Sequence, residues 1–134
     1  MILLDTHVLL WWVSGFQKLP SSVLKKIELH KKKQTLAVSA MTFWEVAMLS
    51  KKGRLNLRTE LKQWISQVTA LPFLQIISLD HPTLVQSVLL PEPLHADPAD
   101  RILIATAQQQ GAVLITKDQK ILAYPHVKTF WEEN

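Results

Sequence analysis

Short apolar runs alternate with longer helical patterns along this chain, and this alternation constrains the fold more than any other feature of the sequence. The runs are apolar throughout, as expected for strands that are buried on both faces of a sheet. We therefore predict an α/β fold with a parallel sheet of four to five strands, covered by helices on both faces. The predicted strands are residues 1–4, 36–39, 73–79, 112–116 and 127–130.

Helix start and stop signals lie between the predicted strands. The serine pair after Pro20 and the side chain of Thr59 are candidate N-caps. The strongest pattern begins at Asp97-Pro98, with proline at the first helical position, and ends before Gly111. The predicted helices are residues 20–30, 42–50, 59–70, 81–90 and 98–110.

The composition restricts the class of protein and the kind of metal site. The length of 134 residues predicts one domain, residues 1–134, and the 48% of hydrophobic residues predicts a globular chain. There are no cysteines, so any metal must be bound by oxygen or imidazole ligands. No apolar run approaches a membrane span and the N-terminus does not resemble a signal peptide, so we expect a cytoplasmic protein without a membrane partner.

The net charge is +4, with 15 basic and 11 acidic residues. If four of the acids face one site, the remaining surface is basic, which would favour a partner rich in phosphate. The same net charge is also ordinary for a soluble protein.

Two acids directly follow predicted strands. Asp5 comes after the first strand and Asp118 comes shortly after the fourth. Ligands of open parallel sheets bind at the carboxyl ends of the strands, so both positions are candidates for a site. Considered alone, each acid is better explained as a helix cap or turn residue.

Two further acids are predicted to face inward from helices. Asp100 lies one turn before an apolar arc, and Asp97 can serve as the cap of the same helix. Glu45 lies within an apolar arc, where a carboxylate is costly unless something pairs with it. The arc around Glu45 consists of Met41, Trp44, Met48 and Leu49.

The predicted topology brings Asp5, Glu45, Asp100 and Asp118 to one edge of the sheet. Crowded carboxylates repel one another, and a divalent cation removes that repulsion. A cluster of oxygen ligands favours Mg²⁺ or Mn²⁺ over zinc. His7 and His95 are the histidines that could border such a site.

Four segments of the sequence form a recognisable set: LLDTHVLLWW (residues 3–12), SAMTFWEVAM (39–48), LPEPLHADPADRILIATA (90–107) and LITKD (114–118). The most specific of them contains a histidine, an Asp-Pro pair and an Asp-Arg pair before an apolar helix. In these segments the sequence resembles the PIN-domain family, and within it the VapC-like ribonuclease toxins of toxin–antitoxin pairs.

The resemblance implies a three-layer α/β/α sandwich that cleaves RNA with Mg²⁺ or Mn²⁺, forms a homodimer and pairs with a small antitoxin protein. Two positions depart from the pattern: Leu49 stands where a basic residue is usual, and Ala99 where an aromatic is usual. By position, the metal-binding and catalytic acids are Asp5, Glu45, Asp100 and Asp118, supported by Thr6, Ser39 and Asp97.

Basic residues near the pocket are candidate RNA contacts, because phosphates dominate the affinity of nucleic acids for proteins. A housekeeping RNA-processing nuclease and a non-catalytic binding module are alternatives. Phosphotransfer on Asp5 is disfavoured, since a second aspartate is expected where His7 stands. The candidate RNA contacts are Lys51, Lys52, Arg54, Arg101 and Lys117.

Overall fold

In the computed structural model, residues 1–15 and 18–134 are described, and they form five strands and seven helices. The five predicted strands are all present. The strands are β1 (Ile2–Leu4), β2 (Leu36–Ser39), β3 (Leu74–Ile77), β4 (Val113–Ile115) and β5 (Thr129–Phe130). The helices are α1 (Thr6–Ser14), α2 (Ser21–Lys33), α3 (Met41–Lys51), α4 (Leu61–Thr69), α5 (His81–Leu89), α6 (Pro98–Gln110) and α7 (Gln119–Leu122).

The strands form one parallel sheet in the order β3-β2-β1-β4-β5, which confirms the predicted parallel arrangement. The chain adds β2 and β3 on one side of β1, and then crosses to add β4 on the other side. The direction of winding therefore reverses between β1 and β4. The carboxyl ends of strands at such a reversal form the crevice where open α/β sheets bind ligands.

Helices cover both faces of the sheet, so the predicted three-layer sandwich is confirmed. Successive side chains of β1 point to opposite faces. Ile2 and Leu4 belong to one buried cluster, which includes Val23, Val46 and Trp64 of α2, α3 and α4. Leu3 belongs to the other cluster, which includes residues of α6 and α7 such as Leu103, Ile104 and Ile121.

Two predicted helix caps are wrong. The serine pair does not cap α2: the side chain of Asn134 accepts a hydrogen bond from the backbone N of Ser21, at 2.6 Å. At α4 the cap is Glu60 rather than Thr59, because the Glu60 carboxylate accepts bonds from the N–H groups of Lys62 and Gln63.

The predicted boundaries of α6 are confirmed at both ends. The Asp97 carboxylate accepts a hydrogen bond from the backbone N of Asp100, and Gly111 has the left-handed φ of 60° at the end of the helix. In the part of the chain that the structure describes, no helix has both the length and the apolar character to cross a membrane.

Candidate metal centre

Asp5 and Asp118 meet at the carboxyl ends of β1 and β4. The register pairs Leu4 with Ile115, so Asp5 and Thr116 leave the sheet side by side. The Thr116 hydroxyl donates a hydrogen bond to Oδ2 of Asp5 at 2.6 Å, and accepts one from the backbone N of Asp118 at 3.1 Å. One buried threonine thus links two of the four predicted acids.

Both acids also act as helix caps. Asp5 accepts a bond from the backbone N of His7 at the start of α1. Asp118 accepts bonds from the N–H groups of Lys120 and Ile121 at the start of α7. The cap and site interpretations were alternatives for the sequence, and the structure shows both: each carboxylate caps a helix and lines the same cavity.

Glu45 reaches the same crevice from α3. Its Oε1 accepts a hydrogen bond from the Thr6 hydroxyl at 2.6 Å, and the Thr42 hydroxyl oxygen lies 3.2 Å from that of Thr6. The predicted apolar arc is wrong, because Trp44 is 55% exposed. The buried residues of α3 are Thr42 and Val46, and Glu45 faces inward because it lies on their side of the helix.

The first turn of α6 supplies two more acids, and Asp97 and Asp100 both line the cavity. Asp97 caps the helix. Oδ2 of Asp100 lies 2.8 Å from Nε2 of His95. Asp97 was predicted to cap the helix and Asp100 to face inward, and the structure brings both to the pocket.

These side chains enclose a cavity of about 500 Å³, which we call the acidic pocket. Five carboxyl groups and one lysine line it. Histidine and an aromatic ring complete the walls, so both polar and apolar surfaces face the cavity. The lining residues are Asp5, His7, Val8, Trp11, Glu45, Asp97, Asp100, Lys117 and Asp118.

The acidic pocket disfavours negative charge on its own carboxyl groups. Burial raises the pKa of Asp5 above its ordinary value, although the Thr116 hydrogen bond opposes the shift. Burial and the neighbouring aspartates raise the pKa of Glu45 to about 7. Burial also raises the pKa of Asp100, against the hydrogen bond with His95. Such a site gains stability from a cation that neutralises the carboxylates.

The carboxylates line one cavity, but three of them are hydrogen-bonded to neighbouring side chains. Within residues 1–15 and 18–134, no group of three or more His, Asp or Glu side chains is arranged to hold a metal ion as these side chains stand. Glu45 is bound to Thr6, Asp5 to Thr116, and Asp100 to His95. The donor set suits a hard divalent cation.

The basic residues predicted to contact RNA lie at different distances from the acidic pocket. Lys117 lines the acidic pocket, with its ammonium 5.9 Å from the ring centroid of Trp11. Arg54 lines an adjoining cavity that shares His7 and Trp11 with the acidic pocket. Lys51 and Lys52 are exposed at the end of α3.

The structure places Arg101 outside the acidic pocket. Its guanidinium is turned toward neighbouring backbone. It donates hydrogen bonds to the Glu92 carboxylate and to the backbone carbonyl oxygens of Ser87, Leu94 and His95. It is not among the residues that line the acidic pocket. The side chain is 14% exposed, so it offers little surface to a nucleic acid.

The supporting residues act in different ways. Thr6 contacts an acid directly, through Glu45. Ser39 is fully buried, and its hydroxyl accepts a hydrogen bond from the backbone N of Met41, which fixes the start of α3. Ser39 thus acts on the position of the helix that carries Glu45.

The sequence reasoning missed Thr116, and it gave no partner for His95. A signal for Thr116 was available: it is a hydroxyl residue at the carboxyl end of a strand predicted to be buried, the end of the sheet where Asp5 also lies. The contact between His95 and Asp100 spans five residues across a loop and a helix start, and no periodicity predicts it.

Comparison with known proteins identifies the family. The PIN domain family matches residues 2–127. The chain belongs to the PIN-domain family. Over 132 residues this PIN domain is 32% identical to ribonuclease VapC22 of Mycobacterium tuberculosis, covering 97% of the chain and 98% of the relative.

Solved structures share the fold of this PIN domain. VapBC2 from Rickettsia felis, solved bound to a DNA fragment from its promoter, matches with a TM-score of 0.71 and 20% identity over 97% of this chain and 98% of the other. A toxin–antitoxin complex from Klebsiella pneumoniae matches with a TM-score of 0.63 and 24% identity, over all of both chains. At these identities the likeness establishes the fold.

Proposed function

We propose that this PIN domain is a metal-dependent endoribonuclease, and that it is the toxin of a toxin–antitoxin pair. The observation that carries the proposal is the acidic pocket, in which five carboxyl groups converge where the sheet reverses its winding. The 32% identity to a ribonuclease, along nearly the whole chain, supports the same activity.

The donor set of the pocket supports Mg²⁺ or Mn²⁺ as the cofactor. These ions prefer oxygen ligands, and the pocket offers carboxylates whose pKa values are raised mainly by burial and further by their mutual repulsion. Asp5, Glu45 and Asp100 would hold the ion, and Asp118 would assist them. Such an ion supplies positive charge for the phosphate and lowers the pKa of an attacking water.

The residues of the chain then have defined tasks in hydrolysis. Lys117 faces the pocket and would bind a non-bridging phosphate oxygen, while Arg54 and the exposed Lys51 and Lys52 would bind neighbouring phosphates. The water oxygen forms the new bond to phosphorus, the bond to the ribose O3′ breaks, and O3′ takes a proton. The products are a 5′-phosphate and a 3′-hydroxyl.

The test is cleavage of total RNA by the purified protein with Mn²⁺ or Mg²⁺, followed by mapping of new 5′ ends. We expect discrete cleavage sites that carry 5′-phosphates and that disappear in EDTA. Asp100→Asn should abolish cleavage and retain the wild-type circular dichroism spectrum. Equal cleavage by wild type and Asp100→Asn, or cleavage in EDTA, would refute the proposal.

The toxin role requires a protein partner as well as RNA. We propose a small antitoxin protein that binds this chain and blocks cleavage; a stable complex with the product of an adjacent small gene is the expected result. Expression of this chain without that partner should arrest growth. If the chain were a housekeeping nuclease, cells should tolerate its expression without the partner. If it were a non-catalytic module, it should bind no Mn²⁺.

We also propose that the chain acts as a single domain, in the cytoplasm where its RNA substrates occur, and as a homodimer. The support for the homodimer is an exposed apolar surface on α5, formed by Leu84, Val85, Val88 and Leu89. Residues 81–91 contain no lysine, arginine, aspartate or glutamate. Two copies could therefore meet there without like-charge repulsion.

A further inference from the structure

The guanidinium of Arg101, in the first turns of α6, makes four hydrogen bonds: one to the last turn of α5 and three to the segment that follows α5. Nε donates to the carbonyl oxygen of His95 at 3.0 Å, and Nη1 donates to that of Ser87 at 3.2 Å. Nη2 donates to the Glu92 carboxylate at 2.6 Å and to the carbonyl oxygen of Leu94 at 3.1 Å. This number of partners satisfies most of the donors of the side chain.

The segment that Arg101 binds has little structure of its own. The α5–α6 loop (residues 90–97) contains no helix or strand. Its carbonyl groups therefore lack the partners that regular secondary structure provides, and contacts from elsewhere must fix its path. Arg101 supplies several of these contacts, and the Tyr124 hydroxyl supplies another by donating to the carbonyl of Pro91 at 2.7 Å.

The loop ends beside the acidic pocket. Arg101 binds the backbone of His95, and Nε2 of the same histidine lies 2.8 Å from Oδ2 of Asp100. Asp100 immediately precedes Arg101 on α6. The backbone and the ring of His95 are thus tied to adjacent residues of one helix, so a shift of the loop would move the imidazole away from the carboxylate.

We propose that Arg101 is a positioning residue of the acidic pocket: it fixes the α5–α6 loop so that His95 holds the Asp100 carboxylate at the pocket wall. The proposal rests on the proposed metal-dependent function. The planar fork of arginine matters here because it reaches carbonyl oxygens in several directions, and the single ammonium of lysine cannot reproduce that geometry. Residues that orient a metal ligand typically change metal affinity by about 10–100-fold when they are replaced.

The test uses Arg101→Lys, which keeps the charge, and Glu92→Gln, which weakens one exposed partner. Matched controls are Arg58→Lys at an exposed arginine, and Glu28→Gln, which removes the surface contact between Glu28 and Lys31. Circular dichroism and thermal melting establish that each variant is folded at the temperature of measurement.

Two readouts separate the positioning role from the activity. In the metal-free protein, the ¹H–¹⁵N resonances of the His95 ring and the Asp100 amide should shift in Arg101→Lys, and by less in Glu92→Gln. Calorimetry with Mn²⁺ should show about tenfold weaker binding for Arg101→Lys. The two control variants should match wild type in both measurements.

A double-mutant cycle decides whether Arg101 acts through His95. If it does, Arg101→Lys should weaken Mn²⁺ binding little further in a His95→Ala background. Effects that multiply in the double variant would overturn the proposal, as would a folded Arg101→Lys protein with wild-type His95 resonances and Mn²⁺ affinity. If wild type itself binds no Mn²⁺, the metal-dependent function fails, and the resonances alone decide the positioning role.

Discussion

At the scale of single residues, Glu45 connects the folding of the protein to the charge in its pocket. Its pKa is raised to about 7 in the folded protein, first by burial and then by the neighbouring aspartates. In the unfolded chain a glutamate titrates near its ordinary value of about 4.3. Between these two values the folded state binds more protons than the unfolded state, so stability falls as pH rises.

We therefore predict that the metal-free protein loses stability as the pH rises from about 4.5 to about 7, and that Glu45→Gln reduces this loss. The glutamine can still accept the Thr6 hydrogen bond but cannot ionise. Urea unfolding in EDTA at several pH values measures the effect. Adding Mg²⁺ should restore stability at pH 7.5 in wild type more than in Glu45→Gln, and identical pH profiles for the two proteins would contradict the prediction.

Thr116 is the residue that holds two acids at once, through Asp5 and the backbone N of Asp118. Thr116→Val keeps the shape of the side chain but removes both hydrogen bonds. We predict a loss of about 1–2 kcal/mol in the free energy of unfolding and about tenfold weaker Mn²⁺ binding. Denaturant titration and calorimetry measure the two effects.

The matched control is Thr106→Val, which removes a buried hydroxyl whose hydrogen bond goes to a carbonyl of its own helix, α6. Thr106→Val should lower the free energy of unfolding by a similar amount and leave Mn²⁺ binding unchanged. If both variants weaken Mn²⁺ binding equally, Thr116 acts through general stability and not through Asp5.

At the scale of secondary structure elements, the sequence predicted features that depend on contacts between nearby residues. The boundaries of α6 followed from the Asp97 cap, Pro98 at the first helical position and Gly111 at the end, and all of these interactions lie within a few residues. The five strands followed from their apolar runs. The edge strand β3 was predicted too long, because the edge of a sheet buries fewer of its residues.

The sequence could not reveal contacts between distant segments. The α2 cap comes from Asn134, more than 100 residues away, although serines stood at the expected positions. Arg101 has the positive charge expected of an RNA contact, but its guanidinium is hydrogen-bonded to the α5–α6 loop. The acids themselves were found because they follow strands or face inward on helices, and both are local properties.

The Asn134 cap gives a prediction for a whole helix. Asn134→Ala should lower the free energy of unfolding by about 1 kcal/mol, because the first turn of α2 loses its side-chain acceptor. Asn134→Asp keeps an acceptor oxygen and should remain close to wild type. Urea unfolding of the three proteins measures the effect, and an Asn134→Ala protein as stable as wild type would show that solvent replaces the cap.

At the scale of the whole molecule, the most exposed large apolar side chains of the described residues lie on α5. Val88 is 73% exposed and Leu89 is 67% exposed, on a helix that packs against α6 with its other face. Apolar surface of this kind is unfavourable in water unless another protein covers it. The absence of charged residues from this stretch of sequence allows an identical copy to bind there, even though each chain carries +4 overall.

We predict that Val88→Lys converts the proposed homodimer to a monomer, because the lysines of both copies would be brought together in the interface and stripped of water. Sedimentation equilibrium over a range of concentrations measures the dissociation. Leu29→Lys is the matched control: Leu29 is 48% exposed on α2, which covers the other face of the sheet, and its replacement should leave the dimer intact. A dimer that survives Val88→Lys, or that dissociates equally in both variants, would place the interface elsewhere, and a monomeric wild type would exclude it.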